Sequence, residues 1–261
     1  MNHFVGIDVG ASATKAVIIN QESRIVGFSV VDSGADFEVA ARDAFEDAKA
    51  KATLQGWHEA AVISTGYGRR NVPFATSART EISCHAKGSF HSFPRAHTLI
   101  DIGGQDNKVV RIDVSGRRTS FKMNRKCAAG TGAFLEEIAN RLRIPIGELN
   151  QLAAKAVTEV ELGSYCTVFT ATEILARIRE GVKVEDLIRG VFGAVIKRAM
   201  EMDPLEGDIV MTGGVVAHNP FMVEMFSERL GKEILVPPLP QLTGALGAAL
   251  YALEGEGGQN A

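Results

Sequence analysis

The sequence predicts an α/β protein built from two related halves. Short segments rich in β-branched residues alternate with segments whose apolar residues recur at helical spacing. A three-stranded meander starts near residue 1 and again near residue 97, and each copy places an acidic residue at a strand end before a turn of small residues. We therefore expect two domains, over residues 1–95 and 96–261.

Length and composition are those of a globular protein. A chain of 261 residues with 46% hydrophobic and 23% charged residues excludes disorder and fibrous repeats. The net charge of −3 offers no basic excess for nucleic acid or an anionic membrane. The uncharged stretch over residues 234–253 is interrupted by Pro237, Pro238 and Pro240, so it does not resemble a membrane span. Because Asp8 interrupts the first apolar run, we expect no signal peptide and a cytoplasmic protein.

The first predicted domain is a meander followed by helices. Its strands, where β-branched residues cluster between short turns, are expected at residues 4–10, 14–19, 24–31 and 60–64. Its helices, where apolar residues share one face, are expected at residues 37–55 and 78–90.

The second predicted domain repeats the meander and adds more helices. Its strands are expected at residues 97–103, 108–114, 118–123, 208–211 and 233–236. Its helices are expected at residues 132–142, 146–156, 172–180, 184–202, 220–230 and 243–253. The last helix is a candidate to pack on the first domain, and the glycine-rich tail after it is expected to fray.

The first glycine turn, in GIDVGASATK over residues 6–15, is a candidate phosphate site. The turn consists of small residues, Gly10, Ala11, Ser12 and Ala13. Its backbone N–H groups can approach an anion closely, and the hydroxyls of Ser12 and Thr14 can donate as well. Asp8 beside the turn suits a hard cation such as Mg²⁺. A tight hairpin with a capped turn explains this single motif equally well.

Two further glycine turns favour a nucleotide-binding site over a simple hairpin. DIGGQD at residues 101–106 repeats the acidic residue and the turn, with Gln105 able to orient a water, and MTGGVV at residues 211–216 joins a strand to a helix. The chain has neither the GxxxxGK[ST] phosphate loop nor a GxGxxG turn between strand and helix.

GIDVGASATK, DIGGQD and MTGGVVAHN resemble the two phosphate motifs and the adenosine motif of the acetate-and-sugar-kinase/heat-shock-70/actin ATPases. The resemblance implies two ribonuclease-H-like domains, with Mg·ATP in the cleft between them and hinge closure on binding. It implies that Asp8 and Asp101 hold Mg²⁺ through water. The residues expected to contact the nucleotide are Gly10, Ala11, Ser12, Ala13, Thr14, Lys15, Gly103, Gly104, Gly213, Gly214, Val215 and Gln241.

The three cysteines, Cys84, Cys127 and Cys166, form no CxxC pair. Three thiols are too few for a four-thiolate metal site within one chain, although a symmetric dimer can pool two thiolates from each copy. Cys127 precedes a predicted helix whose positive N-terminal end and free N–H groups favour a thiolate, and Arg125 and Lys126 add positive charge.

Residue types alone leave the cysteines undecided. Cys166 lies in an apolar, strand-like stretch before the helix expected at residue 172, where a buried core cysteine is the commoner outcome. For Cys127, a role as a metal ligand and a role as a core residue stay equally open.

KCAAGTG at residues 126–132, SYCTVF, STGYGR and PLPQLTGALGAALYA resemble the BadF/BadG/BcrA/BcrD-type ATPases, which include activators of 2-hydroxyacyl-CoA dehydratases and ATPase subunits of benzoyl-CoA reductases. The resemblance implies a homodimer in which Cys127 and Cys166 of both copies ligate one [4Fe-4S] cluster. It further implies ATP-driven transfer of one electron from a ferredoxin or flavodoxin to a partner dehydratase or reductase. Gln105 would then position the attacking water, and Cys84 would be a core cysteine, with cluster ligation a minor alternative.

Two other functions stay open at this stage. A small-molecule kinase of the same superfold would need a substrate-binding group, for which Asp106 and Arg69 are candidates. A nucleotide-gated scaffold is disfavoured because the chain offers no additional peptide-binding domain.

Overall fold

The computed structural model describes residues 2–52, 58–124, 127–163 and 166–257. The described residues divide into two compact units. The first unit comprises Met1–Ala96, Ile112–Thr119 and Gln241–Ala261, and the second comprises His97–Arg111 and Ser120–Pro240.

The elements follow in chain order. The strands are β1 (Asn2–Val9), β2 (Ala13–Ile19), β3 (Ile25–Asp32), β4 (His58–Thr65), β5 (Ser77–Ala78), β6 (His97–Ile102), β7 (Asn107–Ile112), β8 (Arg118–Asn124), β9 (Ile209–Thr212) and β10 (Ile234–Leu235). The helices are α1 (Phe37–Lys51), α2 (Glu81–Ser92), α3 (Gly132–Leu142), α4 (Leu149–Lys155), α5 (Thr167–Arg179), α6 (Val184–Met202), α7 (Gly214–His218), α8 (Pro220–Leu230) and α9 (Thr243–Gly257). Short 3-10 turns lie at Arg69–Asn71, Ile146–Glu148 and Pro240–Leu242.

The first sheet has the strand order β3-β2-β1-β4-β5. β1 pairs antiparallel with β2 and parallel with β4, so the predicted meander is continued by a parallel strand. Alternate residues of β1 face opposite sides. Val5 and Ile7 pack with α1, whereas Phe4 packs with α9. The same alternation places Asp8 on the α9 side of the sheet.

Glycines allow α9 to lie unusually close to its neighbours. An added Cβ at Gly6 of β1 would overlap the carbonyl oxygen of Ala245, and one at Gly247 would overlap the carbonyl oxygen of Cys84 in α2. α9 is therefore held between β1 and α2 by backbone contacts that larger side chains would prevent.

The second sheet has the order β10-β9-β6-β7-β8, with β9 parallel to both β6 and β10. A single buried cluster, which includes Ile102, Phe134, Ile174, Phe192 and Phe226, joins this sheet to α3, α5, α6 and α8. Within the described ranges, no helix has both the length and the hydrophobicity needed to cross a bilayer.

Several predicted boundaries differ from the observed ones. α5 begins at Thr167 instead of residue 172. Thr170 of the added turn is fully buried, and its N–H donates to the carbonyl of Cys166 at 2.8 Å, which outweighs the low helix propensity of a β-branched residue. α2 begins at Glu81, where the Thr80 hydroxyl accepts from the Ser83 N–H. α1 ends at Lys51, and residues 53–55 of the predicted helix lie outside the described residues, as does the end of the tail.

Candidate functional site

The first acidic turn places Asp8 at the end of β1 opposite Lys15 of β2. Lys15 Nζ donates to Asp8 Oδ2 at 3.2 Å, and the Asp8 side chain is 3% exposed. Among the described residues, Asp8 Oδ1 has no hydrogen-bond partner. A buried carboxylate oxygen without a donor is costly, so this atom is available to a ligand.

The backbone around Asp8 is tightly shaped. Gly66, at the end of β4 with φ +87°, packs directly against Asp8 Oδ1, where a Cβ would not fit. A Cβ on Gly244, in the first turn of α9, would come within 3.1 Å of Asp8 Oδ2. Asp8 thus lies beside the N-terminal end of α9, whose partial positive charge favours an anionic group there.

The Gly10–Ala13 turn is closed by a 3.1 Å bond from Gly10 N–H to the carbonyl of Ala13. Ser12 is exposed at its tip. Thr14, in contrast, is fully buried, and its hydroxyl lies 2.8 Å from the Ser33 hydroxyl. Ser33 also donates to the carbonyl of Gly10 at 2.7 Å, so Thr14 and Ser33 support the turn from behind.

The second acidic turn also has an aspartate paired with a lysine, and this lysine is more deeply buried than Lys15. Lys108 Nζ donates to Asp101 Oδ2 at 3.1 Å and to Asp106 Oδ1 at 2.6 Å. The side chains of Lys108 and Asp101 are only 2% and 3% exposed. Thr212 donates from Oγ1 to Asp101 Oδ1 at 2.8 Å, so both oxygens of Asp101 are bonded within the protein.

Lys108 was missed at the level of sequence, although a signal for it exists. Lys15 follows Asp8 by seven residues, and Lys108 follows Asp101 by the same interval. That repeat places an ammonium group beside the carboxylate in each copy. The turn itself also repeats, because Gly103 N–H donates to the carbonyl of Asp106 at 2.9 Å. Gln105 is exposed at its tip.

The third glycine turn lies next to the second. Asp101 and Thr212 are register partners in the parallel pair of β6 and β9. Gly213 follows with φ +104° and packs against the backbone of Ile102, which leaves no room for a side chain. Gly214 begins α7, and Val215 is buried in the core of this unit. Gln241 lies half-buried in the 3-10 turn Pro240–Leu242.

The thiols differ sharply in their surroundings. Cys127 and Cys166 are exposed and belong to the second unit, whereas Cys84 is buried in the first. Burial raises the pKa of the Cys84 thiol from 9.0 to about 12. A neutral, buried thiol is a poor metal ligand, so Cys84 fits the expected role of a core residue.

Two expectations about the cysteine helices are wrong. The first N–H groups of α3 are not free, because Gly132 donates to the carbonyl of Gly103 at 2.9 Å and Ala133 donates to that of Gly104 at 2.7 Å. Cys166 is not in a strand-like stretch but is the N-cap residue of α5. An N-cap residue adjoins N–H groups that have no intrahelical acceptor. The positive end of a helix is therefore placed to stabilise a thiolate at Cys166 more directly than at Cys127. Arg125 and Lys126 lie outside the described residues.

Within the described ranges, no group of three or more His, Cys, Asp or Glu side chains could hold a metal. Cys127 and Cys166 supply two exposed thiols per chain. The helices that follow them, α3 and α5, pack against each other. A thiolate-bound iron–sulfur cluster needs about four ligands, so the donor set fits such a cluster only when two chains contribute equally.

Comparison with known proteins gives consistent results. Residues 5–252 match the family model described as the BadF/BadG/BcrA/BcrD ATPase family. The chain is 40% identical over 253 residues to the 2-hydroxyisocaproyl-CoA dehydratase activator of Clostridioides difficile, covering 96% of this chain and 94% of that relative.

Solved structures are similar over the whole chain. A structure of the activator of the 2-hydroxyisocaproyl-CoA dehydratase from Clostridium difficile with bound ADPNP has a TM-score of 0.92 and 38% identity, covering 99% of this chain and 98% of that one. A ROK family glucokinase from Streptomyces griseus has a TM-score of 0.59 at 13% identity, covering 97% of this chain and 99% of that one. At that identity the likeness shows the fold alone, and it confirms the predicted fold class.

Proposed function

The chain belongs to the BadF/BadG/BcrA/BcrD ATPase family, and from that membership we propose that it is an ATP-dependent one-electron donor. In this proposal a [4Fe-4S] cluster shared by two copies passes its electron to a partner CoA-thioester enzyme, either a 2-hydroxyacyl-CoA dehydratase or a benzoyl-CoA reductase. A ferredoxin or flavodoxin is the proposed electron source. The observation that carries the proposal is the pair of exposed thiols, Cys127 and Cys166, on the unit that also bears the second acidic glycine turn.

Asp8 supports Mg²⁺ binding in this proposal. Its Oδ1 is buried and has no partner among the described residues, and a hard cation prefers such a carboxylate oxygen, directly or through water. Asp101 is assigned to Mg²⁺ through water, because its oxygens are already bonded to Lys108 and Thr212. The glycine turns at Gly10 and Gly103 would receive phosphate groups on their backbone N–H groups.

Lys15 and Gln105 take the two remaining roles. The Lys15 ammonium lies beside Asp8, where it would neutralise phosphate charge. Gln105 is uncharged and exposed at the tip of its turn, so it would orient the water that attacks the terminal phosphate.

The cysteine region supports the shared cluster. Cys127 and Cys166 of two copies would hold it, and a cluster bound there would supply the low-potential electron. Exposed apolar residues on α5, downstream of Cys166, favour a protein contact at this side. Phe169, Leu175 and Ile178 are 67%, 48% and 38% exposed. Exposed apolar residues grouped on one helix are typical of an interface, and a second copy is the partner that the cysteine count requires.

Anaerobic iron and sulfide analysis, combined with native mass measurement, tests the proposal. We expect about four irons per two chains, and near-complete loss of iron in Cys127→Ser and Cys166→Ser. Cys84→Ser is the matched control and should retain its iron, because that thiol is buried in the other unit. An iron-free dimer that still binds ATP after reconstitution would overturn the electron-donor assignment.

A further inference from the structure

The phosphate turn Gly103–Asp106 is bonded to the start of α3, which directly follows the segment Cys127–Thr131, here called the cysteine loop. The carbonyls of Gly103 and Gly104 accept the N–H groups of Gly132 and Ala133, at 2.9 and 2.7 Å. These two donors follow the cysteine loop immediately and begin α3. The turn therefore cannot shift without pulling on the residues next to the loop.

A buried side chain makes the third connection. Asn107 follows the turn as the first residue of β7 and is fully buried. Its Nδ2 donates to the carbonyl of Gly130, the fourth of the five residues of the cysteine loop, at 2.6 Å. Among the described residues its Oδ1 has no partner. Asn107 is therefore held on its donor side alone, by the bond to Gly130.

The cysteine loop is stiff enough to transmit such a shift. Gly130 has φ +83°, and a Cβ there would meet the side chain of Arg198. Thr131 donates to the carbonyl of Ala128 from both its N–H, at 3.0 Å, and its hydroxyl, at 2.7 Å. A loop closed in this way moves as one body, so displacing one end displaces the other.

We infer that Asn107 is a positioning residue that couples nucleotide occupancy of the Gly103–Asp106 turn to the placement of Cys127. The inference rests on the proposed function. It identifies the side chain that links the two parts of the proposed site in this unit, the phosphate turn and Cys127. Asn107 lies one residue after the turn and holds the loop three residues after Cys127, so its side chain links the two.

Asn124 provides a matched control on the same loop. Its Nδ2 donates to the carbonyl of Cys127 at 3.2 Å and to that of Ala129 at 3.5 Å. It is the last residue of β8, and the phosphate turn does not include it. Removing it should loosen the cysteine loop without cutting the connection to the turn.

The experiment measures the alkylation rate of Cys127 by iodoacetamide in the full-length, cluster-free chain, with peptide mass spectrometry to separate it from Cys166. In the wild-type protein, Mg·ADPNP and Mg·ADP should give rates that differ by about fivefold. In Asn107→Ala the ratio should fall to about one, with nucleotide affinity retained. In Asn124→Ala the rates should rise in both states while the ratio is kept.

Three outcomes would overturn the inference: a wild-type ratio of about one at saturating nucleotide, a ratio kept in Asn107→Ala, or a ratio lost equally in Asn124→Ala. If Asn107→Ala does not fold, hydrogen exchange of the Gly132 and Ala133 amides in the wild-type protein decides. Their protection must differ between Mg·ADPNP and Mg·ADP, and equal protection contradicts the inference. Iron content and nucleotide titration on the same preparation test the proposed function separately.

Discussion

Lys108 and Asp101 form an ion pair at 3.1 Å with both side chains almost completely withdrawn from water. The same ammonium also bonds Asp106 at 2.6 Å. The equivalent pair in the other unit, Lys15 and Asp8, has a lysine that is 15% exposed. Lys108 therefore depends on protein carboxylates in place of water, whereas Lys15 still reaches solvent.

Replacing Lys108 by methionine should destabilise the protein strongly. Lys108→Met keeps the chain length but leaves Asp101 and Asp106 without their shared cation, and breaking a buried pair costs about 3 kcal/mol or more. Lys15→Met is the matched control and should cost less, because water reaches that site. The free energies of unfolding in urea compare the two variants, and equal losses would contradict the difference in burial.

Asp8→Asn should remove ATP hydrolysis while leaving the fold intact. The substitution keeps the shape of the side chain, but Oδ1 no longer offers a full carboxylate to Mg²⁺, and we expect turnover to fall by about 100-fold or more. Asp101→Asn should lower the free energy of unfolding more than Asp8→Asn does, because its two oxygens hold Lys108 and Thr212. Phosphate release assays over a Mg²⁺ titration measure the first effect. Wild-type turnover in Asp8→Asn would rule out the proposed magnesium site.

The buried thiol of Cys84 predicts a specific pH dependence. In the unfolded chain this thiol ionises near its ordinary pKa of 9.0, whereas burial in the folded protein raises the pKa to about 12. The neutral thiol is therefore favoured by folding, and its contribution is complete below pH 9.0 and is lost as the pH rises toward 12.

The stability advantage of the wild-type protein over Cys84→Ala should consequently shrink as the pH rises above 9.0. At neutral pH we expect that advantage to be about 1 kcal/mol, because the substitution leaves a small cavity. Urea unfolding at a series of pH values measures the difference in free energy of unfolding between the two proteins. The contributions of all other titrating groups are common to both proteins and cancel. A difference that stays constant on both sides of pH 9.0 would show that the thiol is not shielded as described.

Leu175→Lys should weaken the proposed dimer. Leu175 is 48% exposed on α5, and a lysine there would place a charge in the contact between copies. Ile146→Lys is the matched control, since Ile146 is an equally exposed apolar residue, at 51%, outside α5. After identical cluster reconstitution, native mass spectrometry should show monomer for Leu175→Lys and dimer for Ile146→Lys. Dimers of equal abundance in both variants would place the interface elsewhere.

The sequence by itself determined the fold class, most element positions and the family. β-Branched residues in β1, small residues in the turns and helical spacing of apolar residues are local patterns that short-range physics fixes. KCAAGTG is specific enough to indicate the family, and the match over residues 5–252 confirmed it. The cysteine count alone required two chains for a four-thiolate cluster.

Tertiary structure decided what each polar group touches. Thr212 and Asp101 are 111 residues apart in the chain, and Gly132 meets Gly103 across 29 residues, so no local pattern predicts either hydrogen bond. The same limit explains why the N–H groups of α3 were expected to be free and why α5 was expected to begin after Cys166 by several residues. Burial of Lys108 likewise depends on strands and turns that come together only in the fold, because a lysine loses its water only when distant segments close around it.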